Sequence, residues 1–511
     1  MKKFTRVKKV GGHQYIYEIT PYYDKQTKNT KQKSKYLGTL VNGDVRRPRS
    51  RPPRNSFDYG EFLPFMKVMD ELSVKRILHS LLSQQEADSV LALALNRLVR
   101  PVAMMNVRTW FEGTYLSTLY GDLPISSQNL SEFMDRLGGS AIPMQFSEKF
   151  IRSLEKGSPL IYDITSLSSA SELMDILEYG YNRDLESMPQ LNISIVAHKD
   201  LGVPIFYDVH PGSIVDVSTL KNTIKKLNAL GLKQPTMVMD KGFFSAPNLD
   251  ALAQSGYSYV MPATYKSKEI KSLVSRSRRG IESGKYLQKY EDLTIFVRPF
   301  QITLEETPVE GFVYYDMKRE QEEKSKFYIR LQDALDRLKA RKLREYEEPR
   351  KVFEQLALDF ASYIRYSIHE GRFEVKVKDK AVAQRVNMMG FTVVSCRGGQ
   401  GWEETLRWIR ERDEIEKMFR QLKTDIEVVP LRVHKTEVAK GWIFVAFVSL
   451  ILRSRMAKLM RDTGLLKDYS MPGMLLELGK LKRMELADGS MITAEVTKKQ
   501  RGILEKLEIV V

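Results

Sequence analysis

Apolar and polar residues follow each other along this chain in three rhythms, and the changes of rhythm mark its parts. His13 to Thr20 (HQYIYEIT) alternates with period two. After a polar turn around Asp24 to Thr30, Lys33 to Leu40 follows, so a basic hairpin is expected. RRPRSRPPR at 46–54 then ends regular structure and reads as a linker, because its three prolines fit neither a helix interior nor a central strand. From Asp58 to about Lys156, Leu, Met and Ile recur at three- and four-residue spacing, with turn signals near Pro101, Gly121 and Gly138, which predicts helices. Within them PISSQNLSEFMDRL at 124–137 is a Ser/Asn-rich turn leading into a short amphipathic helix. A DNA-reading helix-turn-helix and a small helical domain packed for its own sake both fit it.

The pattern changes at Ser158. Leu160 to Tyr162, Ile193 to Ala197, Val203 to Tyr207, Thr236 to Met239 and Tyr257 to Met261 are short apolar runs bounded by Gly, Pro or charge. Helical stretches at about 216–231 and 246–255 separate the later ones, which predicts an α/β core. Ser245 stands where it caps the second helix, with Pro247 in the first turn and Gly256 just past the end. Residues 264–388 differ again. They are basic, with strand-like alternation at Thr294 to Val297, Phe312 to Tyr315 and Phe373 to Val377, and a charged helix from about Lys324 to Tyr346. In the last strand Phe373, Val375 and Val377 face one way and Glu374, Lys376 and Lys378 the other, the mark of a half-exposed sheet. The α/β pattern resumes at Gly390 to Cys396 and leads into a long helix, so 264–388 is expected to be an insertion within one fold.

Composition narrows the class. At 511 residues the chain is long enough for several domains, and 42% apolar with 28% charged residues is the balance of a folded protein. The net charge of +17 favours a polyanionic partner, nucleic acid before membrane. Its placement says more: residues 1–56 hold 15 Lys and Arg against Glu18, Asp24 and Asp44, so +12 of the +17 lies there. A DNA-contacting arm and a solvated tail both explain that excess. One cysteine, Cys396, excludes an internal disulfide, and six scattered histidines form no zinc-finger spacing, so any metal is expected on oxygen ligands. The basic, polar N-terminus lacks the apolar stretch of a secretory signal. The longest apolar run, Trp442 to Leu452, is about half the length of a membrane span and is expected as a core helix. The chain is therefore expected off the membrane and in the cytosol, within reach of a nucleoid.

Three acids make geometric sense together. Asp163 ends the run LIYD and Asp240 ends MVMD, and strand ends of an α/β sheet are where ligands collect. Between Glu403 and Val429 there is no Pro or Gly and Pro430 stops the run, which predicts one helix. At about 100° per residue, Ile415, Phe419, Leu422 and Ile426 form a stripe of roughly 60°, while Ile409, Arg412, Glu416 and Lys423 flank one edge of it. Glu416 is thus aimed at the margin of the core between two cations. Three converging carboxylates repel unless cations neutralise them, the logic of a magnesium site. Two such ions deprotonate a water or a 3′-hydroxyl and stabilise the leaving oxygen of a phosphodiester. Arg412 and Lys423 would hold phosphate oxygens. Taken singly, an Asp after a strand is more often a turn residue or a cap, and a Glu in a charged run is usually surface.

LIYDITS at 160–166, YGYNRD at 179–184, PQLNISIVAHKDLGVPIFYDVHPGSIVD at 189–216 and MVMDKGFFSAPNLDAL at 237–252 occur in order. With IEKMFRQLK around Glu416 they resemble the insertion-sequence DDE transposases of the IS4 superfamily, in particular the IS1634 family. That family's signature of Tyr, Arg, Glu and Lys maps onto Ile409, Arg412, Glu416 and Lys423, with Ile409 in place of the tyrosine.

The resemblance implies an RNase H-like catalytic core interrupted by a β-rich insertion. The expected divisions are a basic hairpin and linker at 1–56, a helical DNA-binding region at 57–157, core at 158–263, insertion at 264–388, core with the Glu helix at 389–460 and a C-terminal region at 461–511. It implies Asp163, Asp240 and Glu416 as catalytic and metal-binding residues for two Mg²⁺, with Mn²⁺ able to substitute. Arg412, Lys423, Lys241 and Arg420 are the DNA and phosphate contacts. Double-stranded DNA, as transposon ends and target, is the expected partner, bound by a dimer in a synaptic complex in a bacterial or archaeal cell. An RNase H-fold nuclease or resolvase without strand transfer shares the acids, and a non-catalytic DNA-binding regulator from a decayed element shares the charge. His198 and His210 lie near the core strands within reach of the site, where a core or loop histidine without a role is the commoner reading. Tyr179, Tyr181 and Arg183 fit DNA contacts or packing, and Lys266 a phosphate contact or surface charge.

Overall fold

The computed structural model describes residues 3–24, 29–41, 44–46, 53–155, 157–169, 171, 174–179, 188–213, 216–232, 234–426 and 433–511. Tyr181 and Arg183, the stop at Pro430 and most of the proline-rich linker lie outside the described residues. The chain divides into two compact units, Met1–Gly60 with Gly479–Thr497, and Glu61–Leu478 with Lys498–Val511.

In the first unit the expected hairpin is the middle of a larger sheet. β1 (Phe4–Val10), β2 (His13–Asp24), β3 (Asn29–Val41) and β4 (Asp44–Arg46) pair antiparallel in that order, with a bulge in β2 at Ile16/Tyr17. β1 escaped the sequence pattern because all seven of its residues are exposed and its polar residues occupy both faces, leaving no alternation to detect. β5 (Asn55–Asp58) pairs with a strand at Lys482–Glu485, which also pairs with Met491–Thr493. Lys482 makes an ion pair with Asp58, and the Arg483 guanidinium lies 5.0 Å from the Tyr59 ring centre.

The second unit begins with seven helices: α1 (Leu63–Glu71), α2 (Val74–His79), α3 (Gln84–Val99), α4 (Val107–Glu112), α5 (Leu116–Tyr120), α6 (Ser127–Gly138) and α7 (Ile142–Ser153). Ser83 and Glu86 start α3 with reciprocal capping bonds. Helix α6 buries Leu130, Phe133, Met134 and Leu137, and its exposed residues include Gln128, Asn129, Glu132 and Arg136.

A nine-stranded mixed sheet follows. Its strands are β6 (Leu160–Ser168), β7 (Gln190–His198), β8 (Val203–Pro211), β9 (Thr236–Met239), β10 (Ser258–Pro262), β11 (Leu287–Tyr290), β12 (Leu293–Leu304), β13 (Thr307–Tyr315) and, after a separate hairpin of β14 (Ile364–His369) and β15 (Arg372–Val377), β16 (Phe391–Arg397). The order is β11-β12-β13-β16-β10-β9-β6-β7-β8. β6, β9 and β10 run parallel, and the other pairings are antiparallel. The parallel neighbours are reached through α8 (Asp216–Ala229) and α9 (Ala246–Gln254), as parallel pairing requires a crossover. Every residue of β6 is buried, so its apolar start at Leu160–Tyr162 shows no alternation. Ser245 takes the N-cap position of α9 but makes no side-chain capping bond.

The insertion departs from the expectation of a β-rich domain. β11, β12 and β13 extend the main sheet, and α10 (Lys268–Arg278) precedes them. A separate module lies between β13 and β16. It is built from α11 (Met317–Ala340), α12 (Pro349–Ala357), the β14–β15 hairpin and α13 (Asp379–Val386). The module has its own core, with Phe327, Leu331, Leu335, Leu338, Phe353 and Phe373 among its buried residues. Two-residue alternation identifies a strand without saying which sheet it joins, so both kinds of strand look alike in the sequence.

The expected single helix after β16 is three pieces: α14 (Trp402–Glu411), α15 (Asp413–Arg420) and a π turn at Gln421–Asp425. It breaks at Arg412, where the Ile415 amide donates to the Arg412 carbonyl three residues back. The core stripe holds through the break, with Ile415, Phe419, Leu422 and Ile426 all buried. Next comes α16 (Thr436–Asp462), whose apolar run is buried, and α17 (Met471–Leu478) and α18 (Lys498–Lys506) follow it. Among the described residues no single helix is long and apolar enough to cross a membrane. A Cβ placed on Gly441 would lie 2.3 Å from the Met134 carbonyl oxygen, and one on Gly138 would lie 1.9 Å from that of Glu437. Only glycines allow α6 and α16 to cross at that distance.

Candidate active site

Register places the two aspartates side by side. In the parallel β6/β9 pair Leu160, Ile161 and Tyr162 face Met237, Val238 and Met239, so Asp163 and Asp240 are the next residues of both strands. Adjacent strands lie about 4.8 Å apart. Asp163 differs from its expected place in one respect: β6 runs on to Ser168, so the residue is inside its strand, at the point where β9 stops. Beyond that point β6 is paired only with β7, where Ile195 faces Asp163. Asp163 is fully buried, and its Oδ1 accepts the Ile164 amide at 2.8 Å. Asp240 follows β9 and heads a single 3₁₀ turn, Lys241–Phe243, closed by the Phe243 amide on the Asp240 carbonyl at 3.0 Å.

The helix break brings the third acid to the pair. The Arg412 guanidinium lies with Nη1 2.8 Å from Asp240 Oδ1 and Nη2 3.1 Å from Glu416 Oε1. The arginine side chain is 14% exposed and that of Asp240 18%, against 54% for Glu416, so this cation is withdrawn from water with one carboxylate and reaches out to the other. Glu416 and Arg412 are one turn apart, which lets a single side chain span the α15 start and the strand edge.

Asp163 and Asp240 thus lie side by side where β9 ends, and Arg412 links Asp240 to Glu416. The donor set is oxygen only, which suits a hard divalent cation, and Asp163 with Asp240 supplies an adjacent pair of carboxylates. Among the described residues no three acidic, histidine or cysteine side chains converge to metal-binding distance. Glu416 is separated from Asp240 by the guanidinium that contacts both.

The sequence profile of the transposase DDE domain matches residues 156–452, more than half of the chain. The chain belongs to the DDE transposase family. It is an enzyme of that family, and the matched span runs from just before β6 into α16, enclosing all three acids. Comparison with curated proteins gives no match. Among solved structures, the cryo-EM structure of the piggyBac transposase synaptic complex with hairpin DNA aligns over 84% of this chain and 82% of that one, at 10% identity and a TM-score of 0.39. A likeness of that degree is too slight to carry an inference about mechanism.

The other residues expected at the site are placed as follows. Lys241 is exposed on the turn after Asp240, Lys423 is half-buried in the π turn, and Arg420 is exposed at the end of α15. A π turn here shifts the residues after Arg420 around the helix without taking Leu422 or Ile426 out of the core. Ile409, where the family signature has tyrosine, is half-buried against the same core that holds Trp408 and Ile415.

Two of the histidines, His198 and His210, are held by local hydrogen bonds. His198 ends β7, opposite Leu160; its Nδ1 accepts the Leu201 amide at 3.3 Å and its Nε2 donates to the Glu155 carbonyl at 3.3 Å. His210 is 3.1 Å from Ser194 Oγ. Burial pushes its imidazole below the ordinary value; the Asp208 carboxylate opposes that shift and the Lys226 ammonium adds to it.

One positioning residue was not found in the sequence. Lys199 Nζ lies 2.5 Å from Glu411 Oε2, which ties the β7–β8 turn to the last residue of α14, next to Arg412. It sits in a charged turn where nothing local distinguishes it from a surface lysine.

Proposed function

We propose that this transposase hydrolyses phosphodiester bonds at the ends of its element and joins the freed 3′-hydroxyl to target DNA, with Asp163, Asp240 and Glu416 as its catalytic acids. The observation that carries this reading is the Arg412 guanidinium shared by Asp240 and Glu416, beside Asp163 on the neighbouring strand. Strand order supports an RNase H-like core: an antiparallel meander β8-β7-β6 with the parallel strands β9 and β10 added beyond β6. Two Mg²⁺ ions, or Mn²⁺ in their place, would be held by Asp163, Asp240 and Glu416. When bound they supply Lewis acidity and a nucleophile at neutral pH.

The protein's own groups do the rest. Arg412 offers two parallel N–H faces, the geometry that matches a phosphate as well as a carboxylate, and its link to Glu416 sets the direction of that acid. Lys241, Lys423 and Arg420 ring the same strand edge with charge for the DNA backbone. Burial of Asp163 keeps bulk water from its carboxylate. The basic first unit is assigned to DNA binding on its excess of cations, including the exposed Lys9, Lys31, Lys33 and Lys35. Synapsis of two ends makes the working form a dimer on duplex DNA, in the cytosol of a bacterium or archaeon. The order of sequence blocks supports a reading within the IS4 superfamily, near the IS1634 family.

Purified protein incubated with an end-bearing duplex and Mg²⁺ is expected to nick it and to join the product to a second duplex. Asp163→Asn, Asp240→Asn and Glu416→Gln should each abolish nicking and leave duplex binding intact. Full nicking in any of the three would sink the assignment. Products that are never joined would mean a nuclease, and binding indifferent to metal with no cleavage would mean a regulator.

A further inference from the structure

The exposed face of the β14–β15 hairpin carries a row of cations that the protein itself does not neutralise. Residues that pair across antiparallel strands share a face. In this hairpin Arg365 pairs with Lys376, and His369 pairs with Arg372. Arg372 pairs again on its other side with Lys342 through an isolated bridge. All five are exposed. Glu374 is the one acid in the row, and it accepts from Ser367 at 3.4 Å. The opposite face of the same strands is apolar and lies on the module's core through Ile364 and Phe373.

One thing sets this row apart from ordinary surface charge: its cations stand directly opposite one another, and like charges opposite on a sheet are destabilising. Among the described residues Lys342, Arg365, Arg372 and Lys376 have no acidic partner, whereas Arg330 pairs with Asp359, Arg341 with Glu347 and Arg350 with Glu354 elsewhere on the module. A hairpin that stacks cation against cation on an exposed face suits an external polyanion.

Topology says which one. β16 runs antiparallel to β10, so the start of β16 lies at the carboxyl ends of β10, β9 and β6. β13 ends at the same edge, with Tyr315 facing Phe391. The module therefore leaves and rejoins the sheet at the edge that carries Asp163 and Asp240. Two strand spacings separate its root in β16 from Asp240, roughly 10 Å, and three its root in β13. Duplex DNA carries one charge per about 1.7 Å of axis, so a duplex seated on the acids passes the module with many phosphates in reach.

We infer that the exposed face of the β14–β15 hairpin is a second DNA site, which binds the phosphate backbone of duplex flanking the scissile bond. It rests on the DNA-cleaving reading of the strand edge. The contact assigned to the row is with phosphate, the group a line of cations neutralises whatever the sequence.

The test uses the full-length protein and a duplex probe, with affinity measured between about 50 and 200 mM salt. Lys376→Glu and Arg372→Glu each place an acid opposite a cation. The expected result is several-fold weaker binding, with the slope of log affinity against log salt smaller by about 1 in each variant. The thermal midpoint should stay the same or rise, because a repulsive pair has been removed. Arg350→Glu, the same charge change elsewhere on the module, should alter the slope less. An unchanged slope in Lys376→Glu and Arg372→Glu, or an equal change in Arg350→Glu, overturns the inference. If the wild type nicks DNA while the hairpin variants bind normally, only the hairpin site falls. Hairpin-dependent binding by a wild type that never nicks instead removes the catalytic reading and leaves the site standing.

Discussion

The guanidinium of Arg412 lies 2.8 Å from the carboxylate of Asp240, at the one point where the helix after β16 breaks. The same guanidinium lies 3.1 Å from Glu416, so one cation serves the acid that follows β9 and an acid from α15.

Arg412→Gln should therefore weaken both folding and catalysis. Losing the cation beside the mostly buried Asp240 is expected to cost about 1–3 kcal/mol, with little added by the exposed Glu416. Arg412→Lys should recover part of the stability and little of the nicking, because an ammonium lacks the paired N–H faces. Chemical denaturation and a nicking assay on both variants check this; wild-type nicking in Arg412→Lys would show that one charge suffices.

The α6–α16 crossing has no room for a side chain. Gly441→Ala should destabilise the second unit by about 1–3 kcal/mol or more through overpacking against the Met134 carbonyl. Calorimetry should show a lower midpoint, and an unchanged one would mean that the helices separate at little cost.

Leu358 sits at φ +50°, ψ −130° between α12 and the following 3₁₀ turn, with 60% of its surface exposed. That backbone region favours glycine, so Leu358→Gly should stabilise the module by about 1 kcal/mol in spite of the lost chain stiffness. A fall in the unfolding midpoint would indicate that the leucine makes contacts that matter.

Glu320 anchors α11. Burial tends to raise its pKa, but hydrogen bonds from Tyr315, Arg278 and Lys324 and the Arg278 charge outweigh that and hold it at about 2, from 4.5. A depressed carboxylate pKa adds stability above the unfolded value and loses it as pH falls through the folded one. The anchor should therefore be at full strength above about pH 4.5 and fade toward pH 2, an effect on the order of 2–3 kcal/mol. Glu320→Gln should flatten the acid limb of a stability–pH curve and leave the neutral plateau lower.

What could be read from the sequence was local. The apolar runs containing Asp163 and preceding Asp240 define β6 and β9 because buried parallel strands need no partner pattern to be recognised. The stripe Ile415, Phe419, Leu422 and Ile426 is buried as its spacing demands, and Glu416 stands at its margin beside Arg412. The break at Arg412 was hidden, since neither Pro nor Gly marks it, and so was the ion pair made there to a residue 172 positions earlier (412 against 240). The pairing of β5 with Lys482–Glu485 is hidden for the same reason: its partners lie at opposite ends of the chain. Charge pattern located the half-exposed strand at Phe373 to Val377 but not the cations stacked across from it.

The chain leaves the main sheet after Tyr315 and returns at Phe391, residues that face each other in register with their rings 4.7 Å apart. An excursion that opens and closes on one stacked pair imposes no shift on the strands beside it. Segments of other lengths and architectures could be exchanged at this joint without disturbing the acids two strands away, which makes it the natural site for evolution, or an engineer, to refit the enzyme to a different DNA path.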